Sequence, residues 1–123
     1  MKVGKHMKVY TKNMMIDNLL IELNSTITKN KYYSNFDFIS LFEKLNDKVI
    51  ALLVVDENND NNQYRCCIDT MLNVSIQYVD KSTDDVIDLI SFKVNTYDLN
   101  VILNEIFINL YMYMYVEHFT IDD

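Results

Sequence analysis

The stretch that decides the fold is Asn95-Thr-Tyr-Asp-Leu-Asn-Val-Ile-Leu-Asn-Glu-Ile-Phe-Ile-Asn-Leu-Tyr-Met-Tyr-Met-Tyr-Val-Glu117, because no other segment carries as much apolar surface. Asn95 with Asp98 three residues later is typical of a capped helix start. Apolar residues then recur at the spacing of one helical face: Leu99, Ile102, Leu103, Ile106, Leu110, Tyr113 and Met114. We therefore expect a long C-terminal helix that packs this face against the core.

The opposite face of this helix is apolar as well, with Val101, Ile108, Met112 and Tyr115. Such a helix is either sandwiched between two layers or lends one stripe to a partner, and burial is the more common arrangement. The end of the stretch is ambiguous, because its apolar residues alternate with tyrosines at strand period. Residues 110–119 are therefore predicted as either helix or strand.

Length and composition favour one globular domain. The chain has 123 residues, half of them hydrophobic and about a quarter charged, which suits a domain with a buried core. Gly4 is the one glycine and proline is missing, so glycine-rich loops that cradle phosphates are excluded. Fifteen asparagines are expected to supply the turns, since asparagine tolerates the left-handed backbone conformation. We predict a single α+β domain over residues 1–123.

Two helices are predicted before the sheet. Residues 1–12 hold four lysines and no acidic residue, and we expect a basic tail or a first short strand there. From Met14 to Asn24 the apolar residues follow one helical face, which predicts a first helix. Ser34 and Asp37 predict a capping box, and the apolar spacing of a second helix follows with Phe38, Leu41, Phe42 and Leu45.

Four strands are predicted in the middle of the chain. Residues 48–56 are rich in β-branched residues, and three later segments alternate between apolar and polar residues: 63–70, 72–78 and 86–94. The links are short, which favours an antiparallel meander. The predicted fold is therefore α+β, a four-stranded antiparallel meander sheet with two N-terminal helices and one long C-terminal helix on one face of the sheet.

Charge is divided unevenly along the chain. Residues 1–48 contain eight lysines and five acidic residues, a net charge of +3, whereas residues 49–123 contain three cationic and thirteen acidic residues, a net charge of −10. The two parts sum to the total of −7. A field of this sign repels nucleic acid and anionic lipid and attracts cationic protein surfaces. A solvated surface kept for solubility is the alternative explanation.

Two acidic turns are expected at the same edge of the sheet, because they connect alternate strands of the meander. The first covers residues 56–62 and the second covers residues 80–85. Carboxylates there would steer the encounter with a partner, and aromatic and apolar side chains of the C-terminal helix would anchor it. The predicted partner-binding surface comprises Asp56, Glu57, Asp60, Asp80, Asp84, Asp85, Asp88, Met112 and Tyr115.

No metal site is predicted. Asp56, Asn58 and Asp60 match the first three ligand positions of a calcium loop. However, Asn61 replaces the required glycine, and Cys67 stands where a bidentate glutamate is needed. A hairpin tip rich in turn-forming residues explains this segment better.

Catalytic chemistry is equally unsupported. The two histidines, His6 and His118, lie near opposite ends of the sequence and do not build a triad or a three-ligand metal site. Cys66 and Cys67 are adjacent, a spacing typical of neither a disulfide framework nor a metal site, and we expect two reduced thiols. The protein is therefore predicted not to be an enzyme and to carry no cofactor.

Size, charge and the lack of a catalytic set predict a small acidic binding protein that neutralises a cationic protein partner. An immunity protein that inhibits a basic toxin such as a nuclease is favoured. The alternatives are a phage- or virus-encoded inhibitor of a host nucleic-acid enzyme, of the anti-CRISPR or DNA-mimic type, and a structural protein whose Tyr/Met stripe forms a homodimer. No nucleic-acid or membrane partner is expected. Without a long apolar run or a signal-peptide core, a cytoplasmic location is predicted.

Overall fold

A computed structural model describes residues 12–36, 40–55 and 61–116 of the chain. In chain order, the elements are helix α1 (Lys12–Lys29), a 3-10 helix (Lys31–Asn35), strands β1 (Phe42–Lys44), β2 (Val49–Val55), β3 (Asn62–Asp69), β4 (Asn73–Asp80) and β5 (Asp85–Lys93), helix α2 (Leu99–Tyr111) and a π-helical turn (Met112–Val116). The predicted N-terminal tail, apart from Lys12, and the turn residues 56–60 lie outside the described residues.

Within the described residues, the sheet has five antiparallel strands in the order β1-β2-β3-β4-β5. The predicted α+β class and the antiparallel meander are confirmed, while the predicted number of four strands is wrong. Strands β2 to β5 correspond to the four predicted strands, and β1 is additional. It forms a hairpin with β2, since Phe42 lies opposite Leu52 and Lys44 lies opposite Ile50.

Alternation of side chains gives the sheet one buried face. In β3 the side chains of Tyr64, Cys66 and Ile68 are buried, as predicted, and those between them are half-buried. Cross-strand partners share a face, so Ile50 and Val74 lie beside Ile68 on the same buried side. Helix α1 packs against β1 and β2, and helix α2 packs against β3. The core is therefore a single layer of apolar side chains between the sheet and the two helices.

The predicted second helix is wrong. The 3-10 helix ends at Asn35, residues 37–39 lie outside the described residues, and the segment that follows pairs as β1. Phe42 is buried against the sheet, whereas Leu41 and Leu45 are 44% and 46% exposed. Strand pairing therefore outweighs the helical spacing of these apolar residues, because it buries Phe42 and joins an extended backbone to β2.

Helix α1 is longer than predicted, since it ends at Lys29 and not near Asn24. Residue Ile27 continues the buried stripe past the polar residues, which explains the extra turn. After the helix, the buried Tyr33 reaches α2, where its hydroxyl donates to Asn100 Oδ1 over 3.1 Å. The buried side chains of α1 recur every three or four residues: Ile16, Leu19, Leu23 and Ile27.

The N-cap of helix α2 lies three residues later than the predicted cap. The Asp98 carboxylate accepts hydrogen bonds from the backbone N–H groups of Asn100 (3.0 Å) and Val101 (3.4 Å), so Asp98 and not Asn95 is the N-cap. The backbone stays helical through the π-helical turn, so the strand alternative is wrong there, and residues 117–119 lie outside the described residues. The predicted inner face is confirmed by the buried residues Ile102, Leu103, Ile106, Leu110 and Met114.

The two edges of the sheet are covered differently. Strand β1 is three residues long, and Asn24 of α1 holds its free side: Nδ2 donates to the Phe42 carbonyl (3.0 Å), and the Phe42 N–H donates to Oδ1 (2.8 Å). Strand β5 is nine residues long and forms the opposite edge. A register shift in its middle leaves Leu89 as an extra residue, whose carbonyl accepts from the Tyr113 hydroxyl (3.4 Å). The half of β5 before this bulge is exposed.

Candidate functional site

The β4–β5 turn presents four acidic residues within positions 80–88. Asp80 and Asp85 are the facing ends of the two strands, and residues 81–84 form the turn between them. Asp84 has a backbone φ of 61°, in the left-handed region, which aspartate tolerates better than most residues. The hairpin therefore gathers its carboxylates at one end of the sheet.

Side chains of the turn itself hold two of these carboxylates in place. Asp80 Oδ1 accepts from the Ser82 hydroxyl (2.6 Å) and from the Ser82 N–H (3.0 Å), and these bonds to the charged form lower the pKa of Asp80. Asp85 Oδ2 accepts from the Thr83 hydroxyl (3.0 Å). Asp80 thus keeps its charge further into the acid range than an isolated aspartate does, and the turn is ordered around its own carboxylates.

A row of polar side chains crosses three strands on the outer face of the sheet, opposite to the helices. Arg65 Nε and Nη2 both donate to Gln77 Oε1 (2.9 and 2.8 Å), and Gln77 Nε2 donates to Asp88 Oδ1 (2.8 Å). The hydrogen bond from Gln77 orients the Asp88 carboxylate, and the Arg65 guanidinium donates to the amide oxygen of Gln77. Alternation in β3 indicates the outward direction of Arg65, but the row depends on the register between strands, which sequence reasoning did not reach.

The exposed carboxylates of this turn have no ion pair within 4.0 Å among the described residues. The ion pairs among the described residues join Lys44 to Asp17 (2.8 Å) and to Asp47 (3.8 Å), on the β1 side of the sheet. Residues 80–88 contain four carboxylates and one lysine, a net charge of −3. The exposed carboxylates are those of Asp84, Asp85 and Asp88.

The chain that leaves the first acidic turn of the predicted surface, residues 56–62, enters the sheet at the same end. The Lys81 N–H donates to the Asn61 carbonyl over 3.1 Å, so the chain entering β3 runs beside the β4–β5 turn. Asp56, Glu57 and Asp60 themselves lie outside the described residues. Their role at this end of the sheet stays a prediction.

The outward face of α2 is exposed, and the expectation that it is buried is wrong for the described structure. We call four exposed apolar residues of α2 and the π-helical turn that continues it the α2 stripe; their exposed fractions are 41% for Val101, 46% for Ile108, 46% for Tyr111 and 41% for Met112. Of the two helix residues in the predicted surface, Met112 belongs to this stripe, and Tyr115 is half-buried with its ring 4.8 Å from that of Tyr111. Met112 and Tyr115 belong to the π-helical turn, which contacts β5 at the Leu89 bulge through the Tyr113 hydroxyl, whereas the acidic turn joins β4 to β5.

An open depression of about 390 Å³ lies at the other end of the sheet, lined by residues that include Cys67, Ser75 and Ser91. Burial raises the pKa of the Cys67 thiol, although Arg65 and Ser75 oppose the shift, and burial raises the pKa of Cys66 further. Neither thiol is activated as a nucleophile. The described residues contain no group of three or more His, Cys, Asp or Glu side chains that could hold a metal ion.

Comparisons with protein-family models, with curated proteins and with solved structures found no match to this chain. Within its described part, no helix is long and apolar enough to cross a membrane. The class of molecule is thus set by its own geometry: an α+β fold with an acidic hairpin at one end of its sheet and an exposed apolar stripe on its last helix.

Proposed function

We propose that this protein is a small acidic binding protein, not an enzyme, that neutralises a cationic protein partner. The observation that carries the proposal is the exposed acidic turn of residues 80–88, whose exposed carboxylates have no cationic partner within 4.0 Å in the described part of the chain. Exposed carboxylates on a turn already face solvent, which suits a surface that must attract an oppositely charged protein.

Electrostatic steering is the physical basis of this role. Charges of one sign at one end of a molecule raise the rate of encounter with a partner of opposite sign by about ten- to a thousand-fold at low salt. The same field repels phosphates, which supports a protein partner over a nucleic acid. Asp80 adds a fourth carboxylate to the field, and its hydrogen bonds with Ser82 hold that carboxylate in place.

A basic toxin such as a nuclease is the favoured partner, which makes an immunity protein the first candidate. A phage- or virus-encoded inhibitor of a host nucleic-acid enzyme is the alternative, since both kinds of target carry basic surfaces that bind phosphates. The nature of the partner distinguishes them: a toxic enzyme in the first case, a host defence enzyme in the second.

A second candidate function is homodimerisation through the α2 stripe. The observation that favours it is the exposure of Ile108 and Met112 on a helix face that a monomer usually keeps polar. Dimerisation and inhibition of a partner are compatible, because the stripe and the acidic turn are on different elements.

The test begins with capture of the partner from lysate of the source and its identification by mass spectrometry. The purified partner should then lose its activity in proportion to the added protein, with an endpoint at a fixed stoichiometry. The triple variant Asp84→Asn, Asp85→Asn and Asp88→Asn, which changes the net charge from −7 to −4, should slow association at low salt by about tenfold.

A control variant separates local charge from total charge. Glu22→Gln, Glu43→Gln and Asp47→Asn make the same change in net charge at exposed positions away from the acidic turn, and association should slow far less. Equal slowing in both variants would show that the turn has no special role. If the turn variant associates at the original rate while Met112→Ala and Tyr115→Ala abolish binding, the helix is the interface and the acidic turn serves solubility.

A further inference from the structure

The exposed half of β5 is a sheet edge without a neighbouring strand among the described residues. We call residues Asp85–Asp88 the open edge; all four are exposed, with exposed fractions of 47% for Val86 and 53% for Ile87. In an antiparallel edge strand, every second residue turns both its N–H and its C=O away from the paired strand. The open edge therefore offers backbone donors and acceptors beside two carboxylates and two apolar side chains.

Sheet edges are usually protected against pairing with another chain, and β1 and the bulge of β5 show such protection. The β1 edge is short, and Asn24 occupies the backbone N–H and C=O of Phe42. Past the open edge, β5 has a bulge at Leu89, whose carbonyl is met by the Tyr113 hydroxyl. In the open edge the Asp85 N–H donates to the Thr83 hydroxyl (3.3 Å), while the backbone of Val86, Ile87 and Asp88 has no hydrogen bond to a side chain of the described residues.

We propose that the open edge pairs with an extended, cationic segment of the partner protein, which adds a sixth strand to the sheet. This inference rests on the proposed function and specifies how the partner is held. Backbone hydrogen bonds would supply affinity, and the side chains of Asp85 and Asp88 would select a segment that carries lysine or arginine. The acidic turn would steer the segment, and the edge would bind it.

The register predicts the sequence pattern of the added strand. Asp88 points to the outer face with Val86, because Asp88 lies beside Gln77 in the polar row, and Asp85 points to the helix face with Ile87. Each face of the edge therefore carries one carboxylate and one apolar side chain. The complementary segment has the order cation, apolar, apolar, cation, which fits in either strand direction because the order is symmetric.

A second copy of this chain fits the open edge poorly. If two copies paired antiparallel about the point between Val86 and Ile87, Asp85 of one copy would lie opposite Asp88 of the other, at both ends of the pair. Like charges directly opposite on neighbouring strands are destabilising. Charge complementarity therefore favours a cationic segment over self-pairing.

The test uses the full chain labelled with 15N and the peptide acetyl-Thr-Lys-Val-Val-Lys-Thr-amide as the probe. Titration should shift the backbone amide signals of the open edge more than those of α1 or α2. Two further peptides carry an N-methyl group on the first or on the second valine. Since neighbouring N–H groups of a strand point in opposite directions, one methylated peptide should bind about tenfold more weakly and the other should bind like the parent.

Charge is tested separately from strand pairing. Asp85→Lys with Asp88→Lys should weaken binding of the parent peptide by about tenfold or more, whereas the control Glu22→Lys with Glu43→Lys should change it little. Preserved dispersion of the remaining amide signals shows that each variant is folded. The peptide acetyl-Thr-Glu-Val-Val-Glu-Thr-amide should not shift the open edge.

Several outcomes would overturn the inference. Equal binding of the two methylated peptides would reject strand pairing and leave a purely electrostatic contact, which the proposed function survives. Shifts confined to the α2 stripe, or no shift of the open edge at millimolar peptide, would reject the site. A free protein whose open edge is already paired with a second copy, or with its own residues 1–11, would identify a different occupant and reject a partner segment.

Discussion

Replacing Asn24 with alanine is expected to destabilise the protein more than any surface change on the same helix. The Asn24 amide makes two hydrogen bonds with the backbone of Phe42, at 3.0 and 2.8 Å, in a part-buried position. Asn24→Ala removes both bonds and leaves an N–H and a C=O without partners on the free side of β1. Each bond contributes about 1 kcal/mol, and an unsatisfied group that is only partly buried adds to this loss.

The gain in helix propensity offsets part of this loss. Alanine is favoured over asparagine in a helix by up to about 0.7 kcal/mol, so the net loss in the free energy of unfolding should be about 1.5 to 2.5 kcal/mol. Urea unfolding followed by circular dichroism measures this directly. Hydrogen exchange should also speed up at the Phe42 amide, because the Phe42 N–H loses its acceptor on α1.

Asn18→Ala is the matched control, since Asn18 lies on the same helix and makes no side-chain hydrogen bond to the described residues. It should be neutral or stabilise the protein by a few tenths of a kcal/mol. The loss in the free energy of unfolding for Asn24→Asp should lie between those for Asn24→Ala and Asn18→Ala. The aspartate keeps the acceptor for the Phe42 N–H and loses the donor to the Phe42 carbonyl. The reasoning would be refuted if the free energy of unfolding of Asn24→Ala lay within about 0.5 kcal/mol of that of Asn18→Ala.

Two further predictions concern the cap of α2 and the buried thiol. Asp98→Ala should lower the free energy of unfolding by about 1 kcal/mol, while Asn95→Ala changes it little; the reverse order in urea unfolding would restore Asn95 as the cap. Burial raises the pKa of the Cys66 thiol above its ordinary value of 9.0, so the folded state keeps the proton that the unfolded chain loses. Stability should therefore be full below about pH 9 and fall above it, and Cys66→Ala should flatten that fall in urea unfolding at several pH values.

Local sequence patterns were enough to predict the elements whose tertiary contacts bury the face that the pattern makes apolar. The inner faces of β3 and β4 follow from alternation, and the buried face of α2 follows from helical spacing, because burial on one side imposes that period on the sequence. The position of the β4–β5 turn follows from its run of Asp, Ser, Thr and Lys between two apolar segments, and Asp84 adopts the left-handed backbone there.

The segment around Phe42 shows where local patterns fail. Its helical spacing is real, yet β1 forms because Leu52, across a short hairpin, and Asn24, on α1, provide a paired strand and a cap for its backbone. The row from Arg65 to Asp88 also depends on contacts between elements, since it follows from register across three strands.

The amino-acid sequence by itself determined the class of fold, the sign of the charge and its concentration after residue 49, since these depend on composition and local period. Tertiary structure alone decided which surfaces stay uncovered. Whether the outward face of α2 is buried, and whether a strand is an edge, depends on how many layers and strands the chain supplies, and no local period encodes that number. In the described part of the chain, two helices on one face of a five-stranded sheet leave the α2 stripe and the open edge exposed.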